Sequence, residues 1–168
     1  VRETVGQENS SLSKGESLFD TARVISGYSD VIAMRHPTMH SVAEFAKGSN
    51  VPVINGGDGA NEHPTQALLD LFTIQSEMAR YDMGLDGLNI VLMGDLKHGR
   101  TVHSLSKLLS LYKNIKVTMI APKALQMPDS VVATLSDAGH QVVMAEEIEG
   151  HLACDVIYQT RIQQERFA

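Results

Sequence analysis

Short apolar segments of strand length alternate with helical segments along almost the whole chain, and this order constrains the fold more than any other feature. Strongly apolar segments such as "LNIVLM" (88–93) and "IKVTMI" (115–120) are typical of parallel strands covered on both faces. Between them, "TVHSLSKLLSLYK" (101–113) has apolar residues at helical spacing. Strands separated by helices predict an α/β fold with doubly wound parallel sheets. The loop at Met83–Gly87 follows a long helix and is the predicted junction between two α/β halves.

Composition narrows the class of protein. The 168 residues are 43% hydrophobic and 20% charged with a formal net charge of −6, which is ordinary for a globular protein and argues against general nucleic-acid binding. The single cysteine, Cys154, excludes an internal disulfide and a cysteine-rich zinc site and indicates a reducing, cytoplasmic compartment. No apolar run approaches the ~20 residues that cross a membrane. The chain starts with Val1 rather than Met, so we expect an internal portion of a longer protein.

The segment "GDGANEHPTQALLDLFTIQ" (57–75) predicts a helix that begins after a glycine turn. Pro64 suits the first helical position, which makes His63 the N-cap. The free N–H groups and dipole of a helix N-terminus favour an anion or a carbonyl oxygen, and they disfavour imidazolium. A neutral His63 could therefore donate one hydrogen bond to a ligand, although an ordinary cap beside a solvated Gln66 fits the same residues. The apolar stripe expected along this helix consists of Leu68, Leu69, Leu71, Phe72 and Ile74, with Gln75.

The segment "GDLKHGRT" (94–101) differs by one residue from the phosphate-binding loop G-x-x-x-x-G-K-[ST], and it too stands between a strand and a helix. Against nucleotide binding, Arg100 replaces the lysine, Asp95 would face the phosphates, and no second strand ends in an aspartate for magnesium. A tight turn without a ligand is the simpler alternative. His98 and His103 have no carboxylate at ligand spacing, so packing or surface roles are expected and no metal site is predicted.

Polar groups suited to an anion follow several predicted strands. In open α/β sheets ligands bind at the carboxyl ends of the strands. That rule selects the loop after Arg35, the loop ending in His63, residues 94–100, and the loop with Arg161. The stretch from Leu96 to Lys123 also contains six basic residues and no acidic one, which suits an anionic small molecule or a solvated helix face.

Five segments occur in the order and rough spacing found in one enzyme family: "SLSKGESL", "MRHP", "GDGANEHPTQALLDLFTI", "GDLKHGRTVHSL" and "DVIYQTRIQQERF". The chain resembles aspartate carbamoyltransferase catalytic chains, within the aspartate/ornithine carbamoyltransferase superfamily. The resemblance covers essentially the whole chain and is strongest from Val51 to Ser104. H-P-T-Q is shared with the ornithine enzyme, whereas "GRTVHS" followed by "TRIQQERF" is similar to the aspartate enzyme. Arg161 can pair bidentately with a carboxylate, which aspartate offers in its side chain and ornithine does not.

The resemblance implies a role for each matching residue. The implied catalytic residues are His63, Arg35 and Lys14. The implied carbamoyl-phosphate site consists of Ser11, Lys14, Arg35, His63 and Gln66, where Ser11 and Lys14 belong to a loop that reaches a neighbouring subunit's site. The implied aspartate site consists of Arg100, Arg161 and Gln163.

The resemblance also implies the reaction and the assembly. The α-amino group of aspartate would attack the carbamoyl carbon and phosphate would leave, without a metal or organic cofactor. The implied assembly is a homotrimer with shared sites, and regulatory subunits or fused synthetase domains are further partners that the family allows. The alternative is a non-catalytic binding fragment of the same fold.

The implied domains are the C-terminal part of a carbamoyl-phosphate domain (1–64), a connecting helix (65–82) and a partial aspartate domain (83–168). Two family loops are expected outside this chain. A Ser-Thr-Arg-Thr-Arg loop would precede Val1, and a His-Pro-Leu-Pro-Arg loop would follow Ala168. Both domains are therefore expected to be incomplete here.

Overall fold

The computed structural model describes residues 14–59 and 61–161. The chain divides into two compact units, Val1–Asn61 and Glu62–Ala168. Each unit has its own parallel β-sheet and its own helices, which confirms the predicted α/β fold with parallel sheets. Within the described residues, no helix combines the length and the apolar character needed to cross a membrane.

The first unit contains a two-stranded parallel sheet with two helices. Its elements are α1 (Leu18–Ser26), β1 (Ile32–His36), α2 (Ser41–Gly48) and β2 (Val53–Asp58). α1 begins where the Ser17 hydroxyl accepts the N–H of Asp20 at 3.0 Å, which satisfies one of the otherwise unpaired donors of the first turn. Ala22, Val42 and Phe45 form the buried apolar centre of this unit.

β2 extends further than predicted. The sequence indicated a strand at "VPVIN" and a turn at Gly56–Gly59, but the strand continues to Asp58. An irregularity in the pairing lets His36 face Asp58 while Met34 faces Asn55. The Asp58 carboxylate is buried and accepts hydrogen bonds from the His40 N–H at 2.9 Å and from the Asn55 side chain at 3.1 Å. These bonds hold the glycine-rich segment extended, and only Gly59 belongs to the turn.

The second unit contains a four-stranded parallel sheet in the order β5-β4-β3-β6. Its elements are α3 (Pro64–Ala79), β3 (Asn89–Met93), α4 (Arg100–Leu109), β4 (Lys116–Ile120), a 3₁₀ turn (Lys123–Leu125), α5 (Asp129–Asp137), β5 (Gln141–Ala145) and β6 (Val156–Gln159). Ile90, Val91 and Leu92 of β3 are all fully buried, so both faces of this strand are covered, as its unbroken apolar run predicted. Val102, Leu105 and Leu109 form the predicted buried face of α4.

The buried face of α3 matches the predicted stripe only at Leu71 and Ile74. Ala67, Leu71, Ile74 and Met78 pack into the core of the second unit. Leu68, Leu69 and Phe72 of the predicted stripe are instead 55%, 57% and 67% exposed, and Gln75 is exposed too. Apolar residues lie on both sides of α3, so their spacing could not decide which side meets the sheet.

Candidate functional site

A cleft of about 400 Å³ opens in the second unit beyond the carboxyl ends of β3 and β6. Two helix N-termini, those of α3 and α4, contribute to its wall together with the end of β6. This is the edge at which open α/β sheets bind ligands. The lining residues are His63, Gln66, Arg100, Thr101, Tyr158, Gln159, Thr160 and Arg161.

The α3 side of the cleft is built around the predicted helix start. His63 is the N-cap and Pro64 holds the first helical position, as predicted. The His63 side chain makes no capping hydrogen bond to its own helix, so its presence at this position is not explained by the cap. The backbone N–H of His63 donates to Ser104 Oγ at 3.1 Å, and the Ser104 hydroxyl donates to Glu62. Lys107 of α4 also pairs with Glu62. The Glu62–His63 segment is therefore tied to α4.

The α4 side carries positive charge at a helix N-terminus. Gly99 is the N-cap of α4, and Arg100 is its first residue. A side chain at position 99 would place its Cβ 2.6 Å from the Asp95 carbonyl oxygen, so the turn into α4 requires glycine. A guanidinium beside the positive end of a helix dipole strengthens the local attraction for an anion. Of the eight side chains lining the cleft in the described part of the chain, two are guanidinium groups and none is a carboxylate.

The third wall of the cleft is formed by residues at and just beyond the end of β6, which pairs in parallel with β3. The Thr160 N–H donates to the Met93 carbonyl at 2.8 Å, which extends this pairing by one residue. Gly94 has a φ of +110°, and a Cβ there would lie 2.6 Å from the Thr160 carbonyl oxygen. The absence of a side chain at Gly94 lets the backbone before Arg161 pass close to the end of β3.

Gly94→Ala should lower the free energy of unfolding by about 2 to 3 kcal/mol, because it combines an unfavourable φ with a clash against the Thr160 backbone. Gly139→Ala is the matched control, since Gly139 also has a positive φ of +84° but a Cβ there would have no other atom within 4 Å. The control should lose only about 1 kcal/mol. Urea denaturation measures both values. Equal losses would mean that the contact with Thr160 contributes nothing.

Sequence reasoning did not single out Asp70, Thr101 or Tyr158, which lie in this region. The Asp70 carboxylate accepts hydrogen bonds from Gln66 Nε2 at 2.9 Å and from the Tyr158 hydroxyl at 2.7 Å. Burial raises the pKa of Tyr158 to about 12, and its contact with Asp70 contributes to the rise against the opposing effect of a Thr101 hydrogen bond. Tyr158 is therefore a neutral donor at physiological pH. The spacing of Gln66 and Asp70 was the available signal, because residues four apart meet on a helix.

The two histidines near "GDLKHGRT" have partners within the second unit. His98 Nδ1 lies 3.1 Å from Asp95 Oδ1, and its backbone N–H also donates to that carboxylate. His103 Nε2 lies 2.7 Å from the Leu96 carbonyl oxygen. Burial lowers the pKa of His103, so the neutral ring donates from Nε2 to that carbonyl. Among residues 14–59 and 61–161, no group of three potential ligands could hold a metal ion.

The structure brings four of the predicted site residues together. His63, Gln66, Arg100 and Arg161 line the one cleft. Arg35 lies exposed on β1 of the first unit, and Lys14 lies exposed before α1. Ser11 and Gln163 lie outside the described residues.

Two models of protein families match the chain. One, described as the aspartate/ornithine carbamoyltransferase carbamoyl-P binding domain, matches residues 2–76. The other, described as the Asp/Orn binding domain of the same family, matches residues 86–168. The chain belongs to the aspartate/ornithine carbamoyltransferase family.

Within this family, the chain is similar to aspartate carbamoyltransferase catalytic subunits. It is 63% identical to the aspartate carbamoyltransferase catalytic subunit of Cellvibrio japonicus over 169 residues, covering 100% of this chain and 50% of the relative. It is 59% identical to that of Saccharophagus degradans, covering 99% and 50%. The chain thus spans about half the length of these curated relatives.

Solved structures of the family share the fold. Aspartate transcarbamoylase from Trypanosoma cruzi, in complex with N-(phosphonacetyl)-L-aspartic acid, is 44% identical with a TM-score of 0.84, over 98% of this chain and 52% of that one. The catalytic subunit from M. jannaschii is 45% identical with a TM-score of 0.82, over 95% and 51%. Membership of the carbamoyltransferase family was predicted from the sequence motifs and is confirmed.

The phosphate-binding-loop interpretation of residues 94–101 loses support in this family context. Asp95 is fully buried inside the loop, where its carboxylate accepts the His98 N–H. A buried carboxylate that uses a loop N–H competes with a phosphate for that donor and repels it. The loop leads from β3 to Arg100 at the start of α4.

Proposed function

We propose that this chain is part of an aspartate carbamoyltransferase, which transfers the carbamoyl group of carbamoyl phosphate to the α-amino group of L-aspartate. The products are N-carbamoyl-L-aspartate and phosphate, and the reaction belongs to de novo pyrimidine biosynthesis. One observation carries the proposal. His63, Gln66, Arg100 and Arg161 line a single cleft at which two helix N-termini point, with no carboxylate among the described lining residues. Such a cleft suits a substrate pair with phosphate and carboxylate groups.

The proposed chemistry follows from charge movement. The amino lone pair attacks the carbamoyl carbon, the bond to the phosphate oxygen breaks, and the proton that the amine loses passes to the departing phosphate. Negative charge develops on the carbamoyl oxygen, where a neutral His63 donates a hydrogen bond. Orientation and charge stabilisation supply the catalysis, so no metal or organic cofactor forms part of the proposal.

The remaining roles are assigned to residues by their chemistry. Gln66 contacts the carbamoyl amine. Arg100 and Arg161 bind the carboxylates of aspartate, since the guanidinium fork matches a carboxylate. The further proposed contacts are Gln163 for aspartate and Arg35, Lys14 and Ser11 for carbamoyl phosphate.

For the domains we propose that residues 1–64 belong to the carbamoyl-phosphate domain, 65–82 to a connecting helix, and 83–168 to the aspartate domain. The gap between the two family models, from residue 76 to residue 86, supports the boundary at 82/83. The compact units divide earlier, between Asn61 and Glu62, because α3 packs its buried side into the core of the second unit.

The complete protein, expressed from its intact reading frame, provides the test. Carbamoyl phosphate and L-aspartate should give N-carbamoyl-L-aspartate, detected by mass spectrometry, together with phosphate. L-ornithine is the matched control and should give no citrulline. Binding of both substrates without product would favour the non-catalytic binding alternative, and citrulline formation would overturn the assignment to aspartate.

We also propose that the active form is a cytoplasmic homotrimer with sites shared between subunits, in which Ser11 and Lys14 serve a neighbour. Mixing a Lys14→Ala chain with an Arg35→Ala chain should then restore activity that neither parent has, because some mixed sites contain both intact groups. Native mass spectrometry confirms that subunits have exchanged. Exchanged trimers without recovered activity would mean that each chain completes its own site.

A further inference from the structure

Three side chains from α3 and β6 form a hydrogen-bonded chain behind the cleft. Gln66 and Asp70 lie one helical turn apart on α3, and Gln66 Nε2 donates to Asp70 Oδ1 at 2.9 Å. Tyr158 of β6 donates its hydroxyl to Asp70 Oδ2 at 2.7 Å. Gln66 and Tyr158 line the cleft, and Asp70 connects them.

The Asp70 carboxylate determines which way the Gln66 amide faces. A carboxylate accepts hydrogen bonds and cannot donate them, whereas a side-chain amide has a donor end and an acceptor end. Gln66 must therefore turn its NH₂ group toward Asp70, and a flipped amide would set its oxygen against a negative charge. The carbonyl oxygen, Oε1, is consequently the acceptor that Gln66 offers to a ligand. The amide of carbamoyl phosphate presents N–H donors and needs such an acceptor.

We propose that Asp70, held in place by Tyr158, is a positioning residue that fixes the Gln66 amide with its oxygen available to the carbamoyl N–H groups of the substrate. This inference rests on the proposed function, which assigns carbamoyl phosphate to Gln66. It also predicts substrate selectivity. The site should favour a substrate with an amide N–H over one with a second carbonyl oxygen at that position.

Tyr158 is suited to holding the carboxylate. Its side chain is partly buried. With its pKa raised to about 12 by burial and by Asp70, the hydroxyl keeps its proton throughout the physiological range. Each oxygen of Asp70 thus has one donor, which limits rotation of the carboxylate.

A double-mutant cycle in the complete enzyme tests the proposal. Asp70→Asn permits the Gln66 amide to flip and should raise the KM for carbamoyl phosphate about 10-fold, a change expected when one charge-assisted hydrogen bond is lost. The KM for aspartate should change less than about twofold. In a Gln66→Ala background, Asp70→Asn should have little further effect, because the amide it positions is gone. Asp137→Asn, at an exposed site at the end of α5, removes the same charge and should leave both KM values unchanged.

The outcomes separate this inference from the proposed function. If Gln66→Ala leaves the KM for carbamoyl phosphate unchanged, the assigned role of Gln66 is wrong. If Gln66→Ala raises that KM but Asp70→Asn has no effect, or has the same effect in both backgrounds, the positioning role is overturned and the function stands. Tyr158→Phe keeps the carboxylate and should give a smaller increase with the same dependence on Gln66, which covers the case in which Asp70→Asn fails to fold.

A titration of tyrosine absorbance supplies a readout that does not depend on activity. Subtracting the Tyr158→Phe curve from the wild-type curve isolates the Tyr158 transition near pH 12, and Asp70→Asn should move it to lower pH. Since the folded chain holds this proton more tightly than the unfolded chain, the free energy of unfolding should fall as pH rises from about 10 to 12. In Tyr158→Phe, the free energy of unfolding should not show the part of this fall that comes from Tyr158. An unmoved transition in Asp70→Asn would contradict the contact on which the proposal depends.

Discussion

His63→Ala in the complete enzyme should lower kcat by about 10²- to 10³-fold, the usual consequence of losing one donor aimed at a developing oxyanion. The ring stands at the N-terminus of α3, where the dipole favours negative charge on a bound group and a neutral imidazole. The substrate oxygen gains charge only as the reaction proceeds, so kcat should fall more than the KM for carbamoyl phosphate rises. Steady-state kinetics at saturating aspartate measures both constants.

Two controls separate catalysis from folding in this variant. The imidazole makes no capping bond to α3, so the free energy of unfolding should change by less than about 1 kcal/mol. His63→Asn retains a hydrogen-bond donor, so it should retain part of the turnover that His63→Ala loses. Normal turnover in His63→Ala would reduce the residue to a structural role.

Arg161→Ala should weaken the binding of aspartate about 30-fold or more, because truncating one partner of a close charge pair costs about 2 to 5 kcal/mol. Arg161 lines the cleft just beyond β6. The affinity for carbamoyl phosphate should change much less, since the proposal assigns that substrate to other residues. Isothermal titration with a carbamoyl-phosphate analogue, followed by aspartate, measures the two affinities in turn.

The matched variants for this prediction test shape and charge separately. Arg161→Lys keeps the charge but loses the planar fork, so it should recover only part of the affinity for aspartate. Lys116→Ala removes a positive charge from the start of β4, at the amino ends of the strands and away from the cleft, and should have no effect. An Arg161→Ala enzyme with unchanged affinity for aspartate would remove Arg161 from the site.

Locally encoded features could be predicted from the sequence. Pro64 and His63 mark the start of α3 because proline fits the first turn of a helix, and this requires no knowledge of the rest of the fold. The apolar run of β3 predicted a strand covered on both faces. The grouping of Arg100 with Arg161 followed from the rule that parallel strands present their carboxyl ends at one edge, since β3 and β6 are neighbours in one sheet.

Features that depend on distant contacts could not be predicted in the same way. The exposure of Leu68 and Phe72 depends on which side of α3 meets the core, and both sides carry apolar residues. The bond between Tyr158 and Asp70 joins residues 88 positions apart, and nothing local to either residue signals it. β2 continues past its predicted end to Asp58, whose carboxylate accepts the His40 N–H from 18 residues earlier in the chain as well as the Asn55 amide of β2 itself.

The strand order β5-β4-β3-β6 has a consequence for hydrogen exchange. β3 is hydrogen-bonded on both sides and three of its residues are fully buried, so its amides should exchange only when the whole unit opens. β6 has one neighbour in the described sheet and alternates between exposed and partly covered residues, so it can open by a smaller local fluctuation. We therefore expect the Arg100 side of the cleft to adjoin a slowly exchanging strand and the Arg161 side to adjoin a faster one. A ligand that spans the cleft should slow exchange in β6 far more than in β3.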